Sequence, residues 1–336
     1  MRRNTNIKQH YIPQFYLRHF TNEREQLYVY DSVRDKTYIS SPLNECNKKF
    51  FYDINLDISS RLIKEHSIYE ELVDDKIRIL NEESSAVLIK YLNTLTDVER
   101  NFKFELEDRN KLYNFIILQM IRTPFYRERL KYLCLPFSLK MKLDGDIIEK
   151  DILSEIHNLL LYGVLNSLYD LKISFEDLYY HIFNHLIDEI LYIKQQLELS
   201  GKLFLVNRTD KEFICSDSIN FLWKGNPLAH FKALVTTLGD DQKIFDIGYY
   251  LEFNTVFLPL SKDIAIFLFN KEYGQSLLSM NQGIGIIEDY NSDLITNLNL
   301  STLLKSQDKI YSSTGDYDEI KQMKLNRINP RFEFRF

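Results

Sequence analysis

The sequence predicts an α+β fold: a helical central region with a mostly antiparallel sheet built from N-terminal and C-terminal segments. Three observations predict it. Apolar residues recur at helical spacing along the first part of the middle, at 62, 63, 69, 72, 73, 77, 80, 87, 88 and 92. Short alternating segments cluster towards the two ends. Only 10 Gly and 7 Pro in 336 residues favour long helices over tight turns, and argue against a glycine-rich nucleotide-binding sheet.

The elements follow in order. LYVYD (27–31) and KTYIS (36–40) flank SVRD and read as a hairpin, with FFYD (50–53) as a third strand or the close of that unit. A helix capped at Ser59 or Ser60 runs to about Leu95. A second covers about 108–133, with Pro124 expected to kink or interrupt it. A third spans about 148–170. A fourth opens on a capping-box-like Ser174–Asp177 pair and ends before Gly201. Beyond Gly201 the texture alternates. KLFLVNR (202–208) and KEFICSD (211–217) look like strands paired around Thr209–Asp210, and TVFLPLS (255–261) and DIAIFLFN (263–270) like a second pair. A last helix at about 290–305 precedes a strand at Lys309–Ser312, and the RFEFRF tail alternates as an edge strand would. The whole reads as one unit with sub-regions 1–55, 56–200 and 201–336.

The totals narrow the class. A hydrophobic fraction of 45% and an aromatic fraction of 14% supply a large core. Cys46, Cys134 and Cys215 are far apart and odd in number, which suits free thiols rather than a disulfide framework. No stretch is long and apolar enough to span a bilayer, and no apolar run follows Arg2 and Arg3. A soluble, cytoplasmic protein without a membrane partner is expected. The net charge of −6 hides basic ends, +4 over 1–20 and +4 over 321–336, on a middle of −14. Such ends could meet nucleic acid or another phosphate-bearing ligand, or pair with the protein's own acidic surface.

Four constellations carry chemistry. In KQHYIPQFYLRHFT (8–21), Pro13 fits the first position of a short helix. Gln14 and Arg18 then share a face, while Phe15, Leu17 and Phe20 pack inward. His10, just before that helix, is a candidate general base or metal ligand, or part of a plug that anchors the terminus. In the second helix, Gln119 and Arg122 lie on an apolar stripe with Phe115 and Tyr126, and Arg127 follows. Buried amide and guanidinium groups must be paired, either with an anionic ligand or with the protein's own carboxylates. Ser216–Asp217 ends a strand, a place for a catalytic acid or for a turn-forming one. His181, His185 and Glu189 share a helix face and form a weak metal candidate without the HExxH pattern. RLIKEH (61–66) and GIG (283–285) are weaker still, matching only loose ribonuclease-like and dinucleotide-loop spacings.

Together these pieces resemble a bacterial family catalogued as domain of unknown function 4238. HYIPQFYLRHF (10–20) looks like its opening HYxPxFYLxxF, and LQMIRTPFYRER (118–129) like its mid-chain QxxRTPxxR. LYVYD, FICSD (213–217), PLSKDIAIFLF (259–269) and Asn299 followed by KIYSS are similar to its remaining motifs. The resemblance spans nearly the whole chain. Carried over, it marks His10, Gln14, Tyr16, Arg18, Gln119, Arg122, Arg127, Ser216, Asp217 and Asn299 as recurrent polar positions that belong to one site. The family tends to place Pro two residues after Ser-Asp; Ile219 stands there in this chain, so the loop after Asp217 is expected to differ in shape.

The functional expectation is a phosphodiester-directed, nuclease-type hydrolase acting as a bacterial effector, for instance in phage defence. His10 would be base or ligand. Asp217 would orient it or bind a divalent metal (Mg or Mn). Arg18, Arg122 and Arg127 would hold phosphate, and Gln14 and Gln119 would orient substrate or water. The alternatives are a binding or sensor module for an anionic ligand or protein partner, and a buried polar network that only locks the N-terminus onto the helices.

Overall fold

Alternation along Leu27–Asp31 (β2) buries Leu27 and Val29, and Lys36–Ser40 (β3) pairs with it in antiparallel register, Val29 opposite Tyr38. The Asp31 carboxylate accepts the backbone N–H groups of Val33 and Arg34 and so shapes the turn between them. The computed structural model describes residues 8–49, 51–52, 72–95, 104–124, 126–127, 149–168, 178–218, 220–222, 255–269, 284–289 and 292–326. Among these are seven helices and eleven strands in three sheets.

The first sheet is a two-stranded ribbon, Lys8–His10 (β1) against Asn47–Lys49 (β4). The second has the order β3-β2-β11-β6, with Lys309–Ser312 (β11) between the opening hairpin and Cys215–Ser216 (β6). Tyr311 lies opposite both Val29 and Cys215, so the two ends of the chain meet in one sheet. The third, β10-β5-β9-β8-β7, comes wholly from the C-terminal half. It joins Gly201–Asn207 (β5), Asn220–Leu222 (β7), Thr255–Pro259 (β8), Ile264–Phe269 (β9) and Ile284–Ile287 (β10), with β10 parallel to β5 and every other pair antiparallel.

The helices are Gln14–Arg18 (α1), Leu72–Leu95 (α2), Leu106–Ile121 (α3), Glu149–Leu168 (α4), Leu178–Leu199 (α5), Asp293–Lys305 (α6) and Asp318–Leu325 (α7). Near the end of α2, Tyr91 donates to Asp108 at the start of α3 (2.7 Å). Asn81, a third of the way along α2, accepts from Arg122 just past the end of α3 (3.2 Å). The two helices therefore run antiparallel. Every residue of α4 from Ile156 to Leu165 is buried, as befits a helix apolar on all sides. One hydrophobic core unites α1, β2, the four long helices, one face of the third sheet and Tyr311.

The structure has the expected fold class and departs from the sequence in particulars. KLFLVNR and KEFICSD are not partners. β5 pairs with β9 and β10, whereas β6 crosses to β11. The Asn207 amide bonds the backbone N–H and hydroxyl of Thr209 and the carbonyl of Lys211, turning the chain out of one sheet and into the other. Phe51 and Tyr52 form a bend rather than a strand; their rings are buried instead. The second helix ends at Ile121, before Thr123–Pro124, in keeping with the break expected of proline. Strands β1, β4, β7 and β10 and helix α7 were not predicted. The Ser59/Ser60 and Ser174–Asp177 caps, RLIKEH, Cys134 and the RFEFRF tail lie outside the described residues.

Candidate functional site

The opening motif is docked, as its density of rings suggested. Gln9 accepts the backbone N–H of Tyr52 (2.6 Å), and the Tyr52 hydroxyl returns to the His10 carbonyl (3.1 Å). Pro13 sits at the N-cap of α1, one residue earlier than expected, with extended backbone (φ −69°, ψ 144°) that sends the chain into the helix. Tyr16 is buried and donates to the Pro259 carbonyl (2.6 Å), and Phe15 and Tyr16 both pack on Phe115 of α3. Tyr16 therefore ties α1 to the third sheet. Of the candidate site residues in this motif, His10, Gln14 and Arg18 stay near the surface. Gln14 is half-buried with no hydrogen bond from its side chain to the described residues; Arg18 is exposed with no ion pair among them.

His10 is half-buried, and its Nε2 faces the Leu43 carbonyl (3.3 Å). A carbonyl only accepts, so Nε2 carries the proton and Nδ1 keeps its lone pair. Burial lowers the imidazole pKa from 6.5. The Leu43 and Pro42 carbonyls oppose that shift, and the charges of Arg122 and Lys8 add to it.

Arg122, whose charge His10 feels, has 0% exposure. Its Nε donates to Gln119 Oε1 (3.2 Å) and its Nη1 to Asn81 Oδ1 (3.2 Å), while Nη2 has no partner among the described residues. Because Gln119 Oε1 must face that N–H, the amide orientation is fixed, and Gln119 Nε2 also stands buried without a partner. Among the described residues no carboxylate answers the guanidinium. Burial pulls its pKa down to about 10, and only the Tyr52 phenol and the Cys46 thiol act the other way. It remains a cation at neutral pH.

Arg127 is a clasp. Its Nε donates to His157 Nδ1 (3.1 Å), and its Nη2 to the Phe51 carbonyl (2.6 Å) and to Asn158 Oδ1 (3.1 Å), with the guanidinium 3.8 Å over the Phe51 ring. His157 is buried and neutral. Desolvation, then the Arg127 charge, holds its pKa well below 6.5, and Nε2 donates to the Ile121 carbonyl (2.5 Å). Asn81, His157 and Asn158 escaped the sequence reading. The signal for the last two was a His-Asn pair inside the apolar run of α4.

Asp217 does not orient His10. Its Oδ1 accepts from the Gln307 N–H (2.9 Å) and its Oδ2 from those of Asp308 (2.9 Å) and Lys309 (3.0 Å), so the carboxylate is taken up in shaping the turn before β11. Burial raises its pKa to about 6 against the pull of those bonds. Its charge is felt by Tyr11, Cys46 and Tyr311, and Cys46 in turn neighbours Arg122. The three distant segments thus converge around Cys46, but Arg122 and Asp217 are both buried there, and the expected His–Asp pair is not formed. Ser216 bonds the Ser218 carbonyl. Asn299 grips the strand approach, donating to the Glu212 carbonyl (2.8 Å) and accepting from the Ile214 N–H (3.1 Å). These, with Tyr16, Arg127 and Asp217, brace the fold rather than line an open site.

Among the described residues no group of three or more His, Cys, Asp and Glu could hold a metal ion. The side chains of His181, His185 and Glu189 lie outside the described residues. Ile284 and Gly285 of GIG belong to β10, inside a sheet, not to a loop opening a helix. No described helix is long and apolar enough to cross a membrane.

No curated protein and no solved structure matches the chain. One family model does, across residues 8–316, from β1 to the loop before α7. That span takes in every motif around Cys46, and the chain belongs to the family described as protein of unknown function, DUF4238.

Proposed function

We propose that the protein recognises the phosphate of an anionic ligand at its N-terminal motif, with Arg122 as the countercharge and His10, Gln14 and Arg18 as the groups nearer solvent. One observation carries this reading: a wholly buried guanidinium with an open N–H and, among the described residues, no carboxylate beside it. Proteins rarely leave a buried charge uncompensated, and an incoming anion would complete it. The test is a thermal-shift panel at constant ionic strength, comparing inorganic phosphate, mononucleotides, DNA and RNA with chloride. A phosphate-bearing ligand should raise Tm in the wild type and not in Arg122→Met. A panel with no stabilising member overturns the reading.

Phosphodiester hydrolysis of the nuclease type, in a bacterial defence setting, is the second reading. The His10 Nδ1 lone pair favours it, since a neutral imidazole beside a cation is suited to general-base work. In that case His10→Ala removes cleavage of DNA or RNA in the presence of Mg²⁺ or Mn²⁺ and leaves binding intact. A folded wild type that leaves both polymers uncut removes this second reading and leaves the first standing.

A further inference from the structure

We infer that Arg122 and Gln119 form an end-on site for a terminal phosphate, one carried on a monoester or present as the free ion, and not for the phosphodiesters within a polymer. The inference rests on the phosphate-recognition reading and narrows its ligand. Arg122 Nη2 and Gln119 Nε2 are two buried donors, from groups already joined by the Nε–Oε1 bond, and neither has an acceptor. Two neighbouring donors call for a ligand that offers two oxygens on one centre, the bidentate match of guanidinium to phosphate.

Burial then decides which phosphate. An arginine that tracks a nucleic-acid strand lies along the surface, where the strand can enter and leave. Arg122 has no exposed surface, and its Nη1 is already taken by Asn81 of α2. A diester continues on two sides and cannot be seated there. A terminal phosphate has three free oxygens and a single tether, so it needs approach from one side only, and half-buried His10 is a group of this motif nearer solvent. The local charge suits an anion: Arg122 supplies one positive charge, and Lys8 adds to the field around the neutral His10 imidazole.

The experiment is calorimetric titration of the full chain with a terminally phosphorylated dinucleotide, the same dinucleotide without its terminal phosphate, inorganic phosphate and acetate. The phosphorylated form should bind at least about tenfold more tightly than the unphosphorylated one, the scale of one charge-assisted hydrogen bond. Inorganic phosphate should compete for the same site; if it binds as tightly as the dinucleotide, the free ion is the ligand. Gln119→Glu places a carboxylate beside Arg122, and should abolish phosphate binding while raising Tm. Arg122→Met makes the same comparison should that variant fail to fold. Equal affinity for the two dinucleotides overturns the end-on site and leaves phosphate recognition standing. Acetate competing as well as phosphate overturns the ligand class. No binding by any of them overturns both.

Discussion

A cation removed from water without a counterion costs a folded protein several kcal/mol, and Arg122 is such a group. If it served only to lock the N-terminus, removing it would destabilise the protein by roughly 2–5 kcal/mol, as breaking a buried pair does. With two open donors and no acid nearby, the opposite is expected. Arg122→Met should leave Tm unchanged or higher, measured by thermal melting without ligand, because desolvation relieved exceeds two neutral-partner hydrogen bonds lost. Asp217 gives a second prediction at the same scale. Its folded pKa of about 6 lies above the ordinary 3.8, so the folded state holds the proton more tightly than the unfolded one. The resulting stabilisation is complete below about pH 4 and is lost as pH rises through about 6, up to about 3 kcal/mol for a shift of two units. Denaturant melts of wild type and Asp217→Asn should show the difference between them changing by this amount between about pH 4 and pH 7, with the wild type losing ground; parallel curves would refute it.

Between elements, the clasp around Arg127 joins the turn after α3 to α4 and to the Phe51 bend of the N-terminal region. Arg127→Ala should cost roughly 2–4 kcal/mol in chemical denaturation, since it leaves the Phe51 carbonyl and the Asn158 amide short of a donor. Arg127→Lys should recover only part of that, because one ammonium cannot span the same acceptors and lie flat on Phe51. The long helices were legible from spacing, because an apolar face at period 3.6 has few other readings. Strand pairing was not. Alternation identified β5, but the partner of β6 lies almost a hundred residues downstream, and the Asn207 turn that redirects the chain looks like any hairpin loop. Helix α7 escaped because DEIKQMKL buries only Ile320, and β10 because GIGI carries the glycines of a loop. Within the site, Gln119 and Arg122 stood out as polar residues on an apolar stripe. Asn81 did not, since ILNEESS reads as a solvated face although Asn81 meets Arg122.

At the scale of the molecule, β11 decides whether the chain unfolds as one body. It is an interior strand of the second sheet, flanked by β2 from the first tenth of the sequence and by β6 from beyond the helices. Its Tyr311 hydroxyl meets Cys46 (3.0 Å) in the core shared with the helical bundle. Losing β11 would strip β2 of one neighbour and β6 of the one it has in that sheet, so neither end of the chain can melt alone. Gly315 offers a way to strain this seam. It sits just past β11 at φ +78°, its N–H bonded to Ser312 Oγ (2.8 Å), and an added Cβ would lie 2.6 Å from the Tyr28 ring of β2. Gly315→Ala should therefore cost about 2–4 kcal/mol, from the left-handed backbone together with overpacking. The loss should not be confined to the tail. In urea, the far-UV signal of the helices and the near-UV signal of the buried tyrosines should move to lower midpoint together and stay superimposed, as one cooperative transition requires. If the tyrosine signal shifts while the helical midpoint stays in place, the second sheet is an independent unit, and the joining of the chain's ends does not hold the helical bundle.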